Sequence, residues 1–119
     1  MIPFLIASAL SFLWAAVHLF VGGRDTAAPL RAAPLELAPR ATVWMCWHFV
    51  SVTLVLMGGF FLAAAFGETA LGLAATMLAG AFVGIGLWAK GEMDVSFAEL
   101  PQGWLFVPVA ILRAVGLLS

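Results

Sequence analysis

The sequence predicts an all-α fold, a four-helix transmembrane bundle. Three observations predict it. Of 119 residues, 65% are apolar and 9% charged, against about 45–50% and about a quarter in a soluble domain. The mean hydropathy is +1.15. The apolar residues also gather into four runs, each near the roughly 20 residues that a helix needs to cross a bilayer core about 30 Å thick. So few charges cannot cover a soluble core, and disordered chains are polar or strongly charged, so both are excluded. Helices follow rather than strands, because an open strand leaves backbone groups unpaired in lipid. Residues 1–119 read as a single membrane domain.

The first helix is expected over residues 2–21, without a charge and with Pro3 near its start, where proline is tolerated. A cleaved signal peptide has a basic leader and an apolar core of about 7–15 residues. No Lys or Arg precedes Arg24 and the run is longer, so the helix is read as retained. Gly22-Gly23 suits a helix C-cap, and Arg24 suits the dipole there. The connection Gly22–Arg40 carries three prolines, and Leu30–Leu37 within it reads as a short interfacial segment.

The second helix, residues 41–66, is longer than a bilayer needs, so it tilts or its ends reach the interface; Gly58-Gly59 offers a bend. A turn as short as Gly67-Glu68 makes it an antiparallel neighbour of the third helix, residues 69–89. The link Lys90–Gln102, with Glu92, Asp94 and Glu99, reads as a solvated loop. The fourth helix, residues 103–118, is the shortest; Pro108 should kink it, and Arg113 should snorkel to the outer interface.

Four of the five basic residues, Arg24, Arg31, Arg40 and Lys90, fall in the first and third connections. An even helix count puts these on one face, which the positive-inside rule makes cytoplasmic. Both termini are then expected on the non-cytoplasmic side of a bacterial cytoplasmic (inner) membrane, with Trp88 and Trp104 near the cytoplasmic interface.

Close helix approach in lipid depends on small residues. Ala7, Ser11 and Ala15 on the first helix, Ser51 and Gly58 on the second, and Gly72, Thr76, Gly80 and Gly84 on the third mark the expected inward faces. The pair Gly80/Gly84 is alternatively the seam of a homodimer or a contact with a larger membrane complex.

Composition removes several function classes. A single cysteine, Cys46, rules out an internal disulfide, paired-thiol redox chemistry and a four-cysteine metal site. A net charge of -1 gives no footprint for nucleic acid. No catalytic constellation stands out, so a non-enzymatic role is favoured.

Two ionisable side chains remain inside the helices, His18 and His48, and such groups are expensive there. Each has a tryptophan four residues earlier, Trp14 and Trp44, and that spacing places ring beside ring. His18 shares the stripe of Ala7, Ser11 and Ala15, and His48 shares the face of Ser51, so both are expected to point into the bundle. Three readings compete. The pair ligates haem iron or a divalent metal; it lines a pocket for a quinone, lipid or other amphipathic ligand; or it fixes helix packing through hydrogen bonds. Arg24 and Arg40 are candidates for a headgroup or anion contact.

The segments VHLFVGGRDTAAPL and PRATVWMCWHFV, about a third of the chain, together resemble a group of uncharacterised small bacterial inner-membrane proteins with four predicted transmembrane helices. The resemblance implies the fold and the two histidine positions and no activity. The chain is also similar in size to small dimeric multidrug transporters, but these rely on a carboxylate in the first helix, where this sequence has none. Membrane disulfide-forming oxidoreductases share the bundle but need paired cysteines. The favoured function is a scaffold, an accessory subunit or a binder of a lipid-like or quinone-like ligand; a His-liganded haem or metal protein and a small transporter are the alternatives.

Overall fold

The computed structural model describes the backbone of residues 1–101 and 104–118. Among these there is no strand. The order is α1 (Ile2–Val17), a π-helical segment (His18–Ala27), α2 (Ala28–Ala32), α3 (Leu37–Ala65), α4 (Thr69–Met93), a 3₁₀ turn (Trp104–Phe106) and α5 (Val107–Leu118).

The first helix does not stop at Val21. Helical backbone continues to Ala32, making one rod of 31 residues. Neither Gly22 nor Gly23 takes the left-handed conformation that a glycine cap uses. The rod instead ends at Ala33, whose extended backbone (ψ 148°) is what a residue before proline adopts. Pro29 lies inside the rod. It has no N–H to give Asp25, and in α geometry its ring would clash with that carbonyl. The wider π turn just before it absorbs the conflict, with the Ala28 N–H bonded to Gly23 O, five residues back. The long connection read from the sequence therefore shrinks to residues 33–36.

α3 starts at Leu37 rather than Ala41 because Pro39 falls in its first turn, where the N–H groups have no partner within the helix. It ends at the tight turn around Gly67, whose φ of 113° suits glycine. α4 runs to Met93 and stops where Asp94 turns left-handed (φ 49°) and the Val95 N–H bonds back to Lys90 O. Pro108 does not kink the fourth helix: α5 begins at Val107, so the proline sits in the first turn, where its missing N–H costs nothing. The Arg113 side chain lies outside the described residues.

The helices form a closed ring in which α1 packs on α3 and α5, and α4 completes it against α3 and α5. Ala7, Leu54, Met57, Phe61, Ala75, Ala79 and Val109 make its centre. α5 has 12 residues, about 18 Å of helix. It starts part-way down the bundle, because Phe106 packs on Phe82 at a ring separation of 5.0 Å, and Phe82 is 11 residues before the end of α4. Among the described residues three helices, not four, are long and apolar enough to cross a membrane: Ile2–Ala32, Leu37–Ala65 and Thr69–Met93. Phe20, Phe66, Met77 and Trp88 are each about two-thirds exposed or more, so the outer surface is itself apolar. Inside, hydroxyls are satisfied by backbone carbonyls: Ser8 Oγ donates to Gly58 O across α1 and α3 (2.8 Å), and Ser11 Oγ to Ala7 O (2.8 Å).

Candidate functional site

The small-residue stripe of α1 continues from Ala15 through His18 to Gly22, at spacings of three and four. The buried seam of α3 does the same through Ser51, Leu54, Gly58 and Phe61. Extended back by four and three residues it reaches Trp47 and Trp44, both half-buried. His18 therefore meets Trp47. The rings stack with centroids 4.0 Å apart and planes 17° from parallel. His18 Nε2 lies 3.2 Å from Trp47 O, which also accepts the Ser51 hydroxyl at 3.0 Å. A carbonyl only accepts, so Nε2 carries the proton in this arrangement. The tip of the Trp47 indole rests on Gly22, where an added Cβ would lie 2.9 Å from it.

His48 does not enter the bundle. It is one residue past the seam, about 100° round the helix, and is exposed. Its contact with Trp44 is the one the spacing predicts, edge to face at 4.6 Å and 86°. Trp14 does not serve as the stacking partner of His18; it packs on the core, and its buried indole N–H has no hydrogen-bond partner among the described residues.

Between the π segment with α2 and the start of α3 lies an open groove of about 520 Å³. One wall is Leu19, Gly23, Ala27, Ala28, Arg31 and Ala32; the other is Trp44, Trp47 and His48. The groove exists because the first wall is mostly glycine and alanine while the second is aromatic. Arg31 lies over the Trp44 ring, its guanidinium carbon 5.0 Å from the centroid, a cation–π contact. A small adjoining cleft shares Ala27, Arg31, Trp44 and Trp47 and adds Arg40. Arg24 belongs to neither cleft; both ends of its guanidinium bond the Asp25 carboxylate, at 2.6 and 3.1 Å. Cys46 is exposed and outside the groove.

The geometry does not suit a metal or a bis-histidine haem. His18 Nε2 is committed to Trp47 O, its ring lies flat on an indole, and His48 faces outward. No group of three His, Cys, Asp or Glu side chains able to hold a metal ion occurs among the described residues.

Sequence reasoning singled out His18, His48, Trp44 and Ser51, which the structure gathers around Trp47. It missed Trp47 itself, which the three-and-four spacing of Ser51, Leu54, Gly58 and Phe61 points to. It also missed Arg31 as part of the site. No family model, no curated protein and no solved structure matches the chain.

Proposed function

We propose that this chain is a non-enzymatic integral protein of the bacterial cytoplasmic membrane, and that its groove binds an amphipathic molecule of lipid or quinone type. The carrying observation is the groove. Its volume is in the range of small-molecule sites, about 300–1,000 Å³, and such sites are mostly apolar with a few placed polar groups. Here the polar groups are His48 and Arg31, on tryptophan walls. The three long helices and the apolar exterior support the membrane setting. Arg24, Arg31, Arg40 and Lys90 lie toward one end of the bundle, which is read as cytoplasmic, with residues 1 and 118 toward the other.

The test is a titration of intrinsic tryptophan fluorescence in detergent with a short-chain quinone and with brominated lipid. Binding in the groove quenches the signal. Ala28→Phe, which fills the alanine wall, removes the quenching and leaves the melting temperature unchanged. Equal quenching in Ala28→Phe would place the ligand elsewhere.

A second copy of the chain is the proposed partner for the outer face of α4. Gly80 and Gly84 are exposed, and a Cβ at either would meet nothing within 4 Å among the described residues. Disulfide capture of Gly84→Cys in a Cys46→Ser background tests it, with a crosslinked dimer expected in native membranes.

A further inference from the structure

We infer that the ligand of the groove is an anionic phospholipid, its phosphate held between Arg31 and Arg40 and an acyl chain lying along Leu19. This rests on the groove being a ligand site and names the class of ligand. Three observations point to it.

The first is charge. Among the described residues neither the groove nor the adjoining cleft has a carboxylate in its lining, while Arg31 and Arg40 both line the cleft with Trp44. Among the described residues the one ion pair is Arg24–Asp25. The arginine nearest in sequence is therefore already neutralised, and the two at the groove are not. Guanidinium groups suit phosphate oxygens, which accept two parallel N–H bonds.

The second is depth. α3 rises about 1.5 Å per residue. Counted from Ala65 at the α3–α4 turn, Trp47 lies about 27 Å along the helix, Trp44 about 31 Å and Arg40 about 37 Å. With a hydrocarbon core of about 30 Å, the tryptophans stand at its edge and Arg40 at headgroup height. Arg31, seated on Trp44, is at the edge of the core, just below Arg40. The basic end of the groove thus matches the level of a lipid phosphate, and its apolar end, at Leu19, the level of an acyl chain.

The third is shape. The groove is open rather than enclosed, so a molecule with a long chain can enter it with part of that chain left outside. A neutral quinone would use the tryptophan walls and His48 but would leave the two guanidinium groups without an anion.

The experiment uses the full chain in nanodiscs of phosphatidylcholine with a minor fraction of phosphatidylglycerol, followed by native mass spectrometry of retained lipid. Phosphatidylglycerol is expected to be enriched over phosphatidylcholine. Arg31→Gln and Arg40→Gln are each expected to lower the enrichment about fivefold, as one basic group near anionic lipid contributes. Lys90→Gln, which removes the same charge at the same end of the bundle but outside the groove, leaves it unchanged. Equal loss in Lys90→Gln would mean general surface attraction and overturn the proposal. So would displacement of the lipid by inorganic phosphate alone at matching concentration, which would identify free phosphate as the ligand. If a short-chain quinone quenches the tryptophans and wild-type protein shows no lipid preference, the proposal fails while the groove reading stands. If neither quinone nor lipid changes the fluorescence, the groove reading fails and takes the proposal with it. Wild-type enrichment is read without any variant, so misfolding of a substituted chain does not shield the claim.

Discussion

The middle of the bundle and its arginine end are built from the same pair of rods to opposite effect. In the middle, the buried small residues Ala7, Ser8 and Ser11 of α1 let α3 come close, and Phe12 of α1 covers Gly58. Ser8 reaches Gly58 O directly, and Ala7, Met57 and Phe61 are wholly buried. At the arginine end, small residues of the π segment and α2 face Trp44 and Trp47, and a groove of about 520 Å³ opens. Glycine and alanine permit close approach in lipid, but the residue opposite decides whether the approach happens. The middle holds the buried core, and the arginine end holds the groove proposed as the site.

Truncating the middle is the hardest blow to that division. Phe61→Ala removes the largest fully buried side chain and is expected to cost about 3–5 kcal/mol, measured by thermal or denaturant unfolding in detergent. Trp47→Ala, at a half-buried position, is expected to cost less but to abolish the fluorescence response to amphiphiles. If Trp47→Ala proves the more destabilising, the arginine end is structural and the comparison is wrong.

Glycine substitutions sharpen it. A Cβ on Gly72 would lie 2.8 Å from the Cβ of Ala64, which is fixed to backbone and cannot swing away. Gly72→Ala should therefore force α3 and α4 apart, at about 1–3 kcal/mol. On the monomer, Gly80→Ala should instead gain up to about 1 kcal/mol of helix propensity, since nothing lies within 4 Å. A destabilised Gly80→Ala whose melting point depends on protein concentration would show a second copy seated there.

His18 separates packing from hydrogen bonding at the boundary between the two regions. His18→Phe keeps a flat ring for Trp47 but loses the bond to its carbonyl, which retains Ser51. The expected loss is about 0.5–1.5 kcal/mol, in the same unfolding assay. A much larger loss would mean that the imidazole bond, not the stack, holds the two rods at this level.

The same geometry explains what was legible in the residues. Composition and run length reveal an all-helical chain with long apolar segments, because an apolar run of that length pairs its own backbone groups only as a helix. Helix ends were less legible. Proline in a first turn reads as a breaker in sequence yet is free of cost in place, so the starts of α3 and α5 were misread at Pro39 and Pro108. The π segment resolves a conflict between Pro29 and an α-helical backbone, and nothing in residue type announces that the helix will widen rather than stop. Small-residue stripes mislead when read at a strict spacing of four. Each such step turns about 40° past a full circle, so Gly72 is buried while Gly80 and Gly84 have rotated out. The buried seam follows Gly72, Ala75 and Ala79 instead. The rotation that exposes His48 is of the same kind, one residue off a seam that alternates three and four.

The smallest expected effect concerns the loop after α4, at the arginine end. Ser96 and Glu99 form the reciprocal bonds of a capping box, a pattern legible as S-x-x-E. Glu99 Oε2 accepts from the Ser96 N–H and hydroxyl, both at 2.8 Å, and the Glu99 N–H donates to Ser96 Oγ at 3.2 Å. Those donors hold the Glu99 carboxyl below its ordinary pKa, the backbone N–H first. A carboxylate with a depressed folded pKa contributes stability above its unfolded pKa, and the contribution is lost as pH falls through the folded one. Acidification through and below the carboxylate range should therefore lower the protection of the Ser96 amide, measured as its exchange rate relative to the intrinsic rate at each pH. Glu99→Ala, which removes the acceptor, should show the lowered protection already at neutral pH. Because the carboxyl is fully exposed, global unfolding should not move. Were the melting temperature to fall with the same pH profile, this turn would have to be coupled to the core through Phe106, and the arginine end would carry stability after all.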